Sequence, residues 1–140
     1  MAPKTLLLIE DELSFANVLT RRLQKQGFEP HHALDVAQGL ELAQQIKPAY
    51  LILDMKVGET NSISVIPDLR ARLPNARITL LTGYASIATA VDAIKQGADD
   101  YLAKPFDMKT LVPTLLGETA PGNNQQEQDS LPTPARLEWE

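Results

Sequence analysis

The sequence predicts an α/β domain built on a doubly wound parallel sheet with helices on both faces. Three observations carry that prediction. Short apolar runs alternate with helical patterns five times between residues 5 and 117, the mark of strand–helix units feeding a parallel sheet. Several of those runs stop on an acid or a hydroxyl rather than in a turn. The chain of 140 residues is the size of one domain with a real core.

The elements follow in order. "TLLLI" (5–9) reads as a buried strand. Residues 13–27 read as a helix: Phe15, Val18, Leu19 and Leu23 share one face, and Gly27 supplies the stop. "FEPHHA" (28–33) is a weaker strand whose Pro30 suits an edge. Asp35 can cap a helix running to about Ile46, which Pro48 ends. "AYLILD" (49–54) is an apolar strand ending in an acid. A third helix is expected over 62–73, stopped by Pro74, and a strand over 76–82. Ser86 can cap a fourth helix that Gly97 closes. A short strand at 99–104 and a fifth helix at 107–117 complete the pattern, with Pro113 expected to bend or shorten that helix.

Composition narrows the function. A net charge of −5 and a pI near 5.0 argue against a nucleic-acid-binding surface in this chain. Without cysteine there are no disulfides, thiolate zinc sites or cysteine nucleophiles. No apolar run approaches the ~20 residues of a membrane span, and acids follow the short N-terminal apolar run at once, unlike a signal peptide. A cytoplasmic protein that does not touch a membrane is the expectation.

In open parallel sheets ligands bind beyond the carboxyl ends of the strands. The first strand ends in Glu10 and Asp11, the third in Asp54, the fourth in Thr82 and the fifth in Lys104-Pro105. Three carboxylates on one rim need a cation. A hard ion such as Mg²⁺ takes oxygen ligands and uses one or two carboxylates. Glu10 and Asp11 can share it with Asp54, and the Lys56 backbone carbonyl is a further candidate ligand. Lys104 suits a phosphate oxygen, and the Thr82 hydroxyl can donate to another. This inventory matches phosphoryl transfer. Asp54, alone at the end of its strand, is the expected acceptor, giving an aspartyl phosphate.

"IEDE", "LILD", "LTGYA" and "DYLAKPF", in that order and spacing, resemble the receiver domain of two-component response regulators over residues 4–116. "LTGYASIATAVDAIKQGADDYLAKP" is most similar to the redox-responsive RegA/PrrA/ActR group. The resemblance implies a flavodoxin-like sheet of order 2-1-3-4-5, Mg²⁺ as cofactor and a sensor histidine kinase as phosphodonor. It implies that Thr82 moves on phosphorylation and Tyr101 turns toward the vacated space. The face formed by the fourth helix, fifth strand and fifth helix then changes its pairing, including a possible homodimer. It also implies a cis bond before Pro105. Two departures stand out. Glu10 occupies a position where Asp is commoner, and the loop after Asp54 lacks the usual Pro-Gly pattern. Lys56 and Tyr84 fall where the family flanks the path of attacking water, so they and Gly83 form a candidate gate on access and dephosphorylation.

Each site residue has a plainer reading. Asp11 can cap the first helix, Thr82 can be an ordinary strand-end hydroxyl, Lys104 a surface lysine, Tyr101 core packing and Gly83 a turn residue. His31 and His32 read as edge-strand surface residues far from the rim.

After Gly117 the composition turns Gln/Asn/Pro-rich. The expected division is a receiver domain at 1–116, a flexible linker at 117–135, and at 136–140 the start of a DNA-binding effector domain, with Trp139 in it. The expected function is thus a phosphorelay receiver controlling a DNA-binding domain, self-modifying rather than an enzyme of external substrates. The alternatives are a standalone receiver acting by protein contacts and an aspartyl-nucleophile phosphatase. The phosphatase needs a second Asp where Lys56 stands; a nicotinamide dehydrogenase needs a glycine-rich turn where "EDELS" stands.

Overall fold

The computed structural model describes residues 4–58, 60–83 and 87–118. Five parallel strands form the sheet: β1 (Lys4–Ile9), β2 (Phe28–Ala33), β3 (Tyr50–Asp54), β4 (Arg77–Thr82) and β5 (Asp100–Ala103), in the order β2-β1-β3-β4-β5. The helices are α1 (Leu13–Lys25), α2 (Val36–Ile46), α3 (Ile66–Arg72), α4 (Ile87–Gln96) and α5 (Met108–Leu116). The expected fold class and strand order are both realised. Strand order reverses between β1 and β3, so a crevice opens where those strands end.

The central strands are apolar on both sides because both faces are covered. Leu7, Ile9, Leu51, Leu53, Ile78 and Leu80 pack under α2, α3 and α4, joined by Ala43, Ile66, Leu69 and Ala93. Leu6, Leu8, Ile52, Leu81 and Leu102 pack against Ala16, Leu19 and Leu23 of α1 and Leu111 and Leu115 of α5. The period of two along a strand has a consequence at the rim. Glu10, Asp54 and Lys104 share the parity of Leu8, Ile52 and Leu102, and so fall on the α1/α5 side.

Most helix ends obey local chemistry. Asp35 Oδ1 accepts the Gln38 N–H at 2.7 Å, and Asp107 Oδ1 accepts that of Thr110 at 3.0 Å. Gly27 and Gly117, with φ of 94° and 75°, follow α1 and α5. The helix expected over 62–73 divides into a 3-10 turn (Ser62–Val65) and α3. Pro67 lies in the first turn of α3, where its missing N–H costs nothing. Pro113 lies inside α5, yet the helix continues to Leu116. The Ser86 cap lies outside the described residues, as do residues 119–140 with the rest of the expected linker and Trp139.

One half-buried network holds the far end of α4. Arg70 donates to the carbonyls of Leu73, Pro74, Ala76 and Gly97 and to Asp99 Oδ2 at 2.6 Å. Asp99 Oδ2 also accepts the Ile78 N–H. This arginine ties α3, the α3–β4 turn and the α4–β5 turn together.

Helix α2 approaches β1 closely at Gly39, where a Cβ would collide with Ile9 Cδ1. Gly39→Ala is expected to cost about 1–3 kcal/mol in urea denaturation. In an Ile9→Val background, which removes Cδ1, the added cost should shrink; an equal cost in both backgrounds contradicts the contact.

Candidate functional site

Every candidate ligand sits at a strand end for a backbone reason. The register Ile9↔Leu53 sets Glu10 beside Asp54 one step further on. The register Thr82↔Ala103 brings Lys104 to the same rim, and its N–H donates to the Thr82 carbonyl at 2.8 Å. Oxygens of Glu10, Asp11 and Asp54 all lie within 4.8 Å of one another. Lys104 Nζ is 2.6 Å from Asp54 Oδ1 and 3.6 Å from Glu10 Oε1. It also lies 4.6 Å from the centroid of the Phe15 ring, which packs edge-on against Phe106. The Lys104–Pro105 peptide bond is cis.

The remaining contacts orient the acids. Glu10 Oε2 accepts the Glu12 N–H at 3.0 Å, and Asp54 Oδ2 accepts the Lys56 N–H at 3.3 Å. Asp11 does not cap α1: the N-cap is Glu12, without a side-chain cap bond. Asp11 Oδ2 instead accepts the Gly58 N–H at 2.9 Å across the rim. Gly58 turns at φ 60° between two-residue antiparallel strands, Lys56–Val57 and Thr60–Asn61. This hairpin is what the loop forms in place of a Pro-Gly turn. The sequence signal for it was the glycine in "KVGET", flanked by residues able to pair.

The electrostatics are lopsided. Glu10 is 2% exposed and Asp54 8%. Burial pushes the Glu10 carboxyl above its ordinary 4.5, and the nearby Asp54 charge adds to the rise; the Glu12 N–H and Lys104 offset only part of it. Burial draws the Lys104 ammonium down, but its hydrogen bond to Asp54 and the charges of Asp54 and Glu10 outweigh this and raise it. Glu10 Oε1 is buried with no hydrogen-bond partner. Three clustered carboxylates, one of them with an orphaned oxygen, face a single described ammonium. That donor set fits a hard divalent cation.

Other predicted residues take these places. Thr82 is buried and its hydroxyl donates to Met55 Sδ at 3.3 Å. Tyr101 is half-buried against the α2–α4 side of the core, in register with Leu80 two positions before Thr82. Lys56 and Gly83 are exposed, with open space where a Gly83 Cβ would stand. Tyr84 lies outside the described residues. His31 and His32 lie on the edge strand, but they are not both far from the rim. His32 Nε2 is 2.6 Å from the Glu10 carbonyl oxygen. The register Leu8↔His32 puts its ring on the α1/α5 side near the end of β1, a placement that a short strand containing Pro30 did not announce. Beside Lys104, Phe15, Val18, Phe106 and Met108 line an open groove of about 400 Å³.

The fold and this site define a doubly wound domain that presents a buried aspartate between an acidic pair and a lysine. Residues 6–116 match the response regulator receiver domain family. The photosynthetic apparatus regulatory protein RegA of Rhodobacter capsulatus is 42% identical over 120 residues, which cover 84% of this chain and 65% of RegA. The acid tolerance regulatory protein ActR of Sinorhizobium medicae is 35% identical over 137 residues, covering 98% of this chain and 70% of ActR. A crystal structure of a response regulator protein from Burkholderia pseudomallei, with a phosphorylated aspartic acid, calcium ion and citrate, is 41% identical. It superposes with a TM-score of 0.77 over 80% of this chain and 66% of that one. The chain belongs to the response regulator receiver domain family and is closely related to the RegA and ActR regulators. It is a receiver domain of the phosphorelay type. It spans about two thirds of the length of the RegA proteins. Among the described residues, no helix is long and apolar enough to cross a membrane.

The raised Glu10 value has a stability consequence. The folded chain holds that proton more tightly than the unfolded chain does. The contribution is therefore present in full below about pH 4.5 and is lost as pH rises through the raised value. Glu10→Gln escapes this loss. In metal-free buffer its urea midpoint should exceed that of wild type near pH ~7, and the difference should close toward pH ~4. A difference that does not vary with pH contradicts the assignment.

Proposed function

We propose that Asp54 accepts a phosphoryl group from a phosphohistidine of a sensor kinase, and that Mg²⁺ is held by Glu10, Asp11, Asp54 and the Lys56 carbonyl. The observation that carries this reading is the convergence of three carboxylates, two of them buried, and Lys104 on one rim. In the transfer, the P–N bond of the phosphohistidine breaks as a P–O bond to an Asp54 oxygen forms. The imidazole nitrogen keeps the bonding pair. When bound, Mg²⁺ neutralises charge on the acids and on the incoming phosphoryl oxygens. The protein's own groups do the rest. Glu12 and Gly58 N–H groups orient the acids, and Lys104 is already within reach of an oxygen on Asp54. The Burkholderia protein, with its phosphorylated aspartic acid and calcium ion, supports the same chemistry here.

The switch follows from donors. The Thr82 hydroxyl has one proton and gives it to Met55. Donation to a phosphoryl oxygen requires it to leave that sulfur, which opens space on the face it shares with Tyr101. Tyr101 then repacks, and the α4–β5–α5 surface changes its pairing, with a homodimer as one outcome. Lys56, Gly83 and Tyr84 gate access and the loss of the phosphate. A linker over 117–135 and a DNA-binding effector domain from 136 onward complete the reading, on the resemblance to the RegA group.

Incubated with Mg²⁺ and acetyl phosphate, the chain should gain the mass of one phosphoryl group, and Asp54→Asn should gain none. Labelling that persists in Asp54→Asn moves the acceptor elsewhere. Lys104→Ala should retain Mg²⁺ binding yet lose most of the phosphorylation-dependent amide shifts in α4, β5 and α5. Wild-type shifts in that variant exclude Lys104 as the sensor of the phosphoryl group.

A further inference from the structure

The Glu10–Asp11 peptide is held from outside the acidic cluster by a residue that the phosphoryl-transfer reading does not use. Glu10 donates its N–H to the Ala33 carbonyl at 3.0 Å, and its carbonyl oxygen lies 2.6 Å from His32 Nε2. A carbonyl oxygen can only accept, so Nε2 carries the hydrogen and donates. Both partners come from the end of edge strand β2, beside the switch point.

The geometry matters because a peptide is a rigid plane. The carbonyl of Glu10 and the N–H of Asp11 belong to one plane, so a bond that fixes the carbonyl also fixes the direction in which Asp11 leaves Glu10. Beyond that plane, the Asp11 carboxylate is tied to Gly58 and the Glu10 carboxylate to Glu12. Without His32, the plane is anchored on the β2 side only through the Glu10 N–H, before the Glu10 Cα. Rotation about the Glu10 Cα–C bond then swings Asp11 relative to Asp54.

We propose that His32 is a positioning residue for the cation site: its Nε2–H locks the Glu10–Asp11 peptide plane and thereby sets the spacing of the acids around the metal. The inference rests on the reading of Glu10 and Asp11 as metal ligands. It does not require a charged ring, because the neutral tautomer with a proton on Nε2 also donates.

The test uses the full chain and Mg²⁺ itself, with affinity read from amide chemical shifts during a Mg²⁺ titration. His32→Leu, which keeps bulk but removes the donor, should bind Mg²⁺ about 10-fold more weakly. Its urea midpoint in metal-free buffer should fall only slightly, as expected for the loss of one half-exposed hydrogen bond, and far less than the change in Mg²⁺ affinity. His32→Gln, whose amide restores a donor, should recover most of the affinity. Normal Mg²⁺ binding by His32→Leu overturns the inference alone; so does a loss that His32→Gln fails to recover. A wild-type chain with no Mg²⁺-dependent shifts overturns the metal reading and this inference together. Should His32→Leu not fold, the wild-type imidazole decides. Its Nε2 must carry a proton coupled to the Glu10 carbonyl carbon, and an unprotonated Nε2 overturns the proposal.

Discussion

Lys104 Nζ stands 2.6 Å from Asp54 and 3.6 Å from Glu10, the ammonium that faces the clustered carboxylates. Buried carboxylates cost free energy unless they are paired, and this lysine carries most of the pairing that the described residues supply. Its own place is fixed twice over. β5 delivers it to the rim through the sheet register, and the Phe15 ring lies beneath the ammonium with Phe106 at its edge. The compensation is incomplete, and the raised Glu10 carboxyl with its orphaned oxygen records the shortfall. A hard divalent cation bound among the acids would answer that imbalance.

The rest of the domain divides into parts that hold still and parts that can trade partners. Arg70 fastens the carboxyl end of α4 to α3 through backbone carbonyls and Asp99. At the Thr82 end of β4 the hydroxyl donates to the Met55 sulfur, a weak acceptor. On the proposed reading, that proton would exchange a weak acceptor for a strong phosphoryl oxygen.

The segment after Asp54 joins these two behaviours. Lys56 N–H bonds to Asp54, Gly58 N–H bonds to Asp11, and Asn61 Oδ1 caps the 3-10 turn that leads into α3. One short hairpin therefore contacts two of the three acids through main-chain donors. Main-chain donors are insensitive to side-chain identity, so the loop can dispense with a Pro-Gly turn and still reach the acids.

By itself the sequence determined the strand–helix alternation, the parallel sheet and the residues at each strand end. Apolar periodicity is a local property, and in a parallel sheet the strand ends meet on one rim; which of them share a face waits on the register between strands. It also marked Asp35 as a cap, because capping is decided within one turn. Tertiary structure alone decided which donor each acid meets. Asp11 reads as a helix cap from its neighbours, yet bonds to a glycine 47 positions away. His32 reads as a surface residue on an edge strand, yet reaches the Glu10 carbonyl. Arg70 and Asp99 are unremarkable until α3 and the α4–β5 turn are packed together. Such pairings depend on register between strands and on the dihedral angles of turns. No periodicity in the chain encodes them, and they exist only once the layers have assembled.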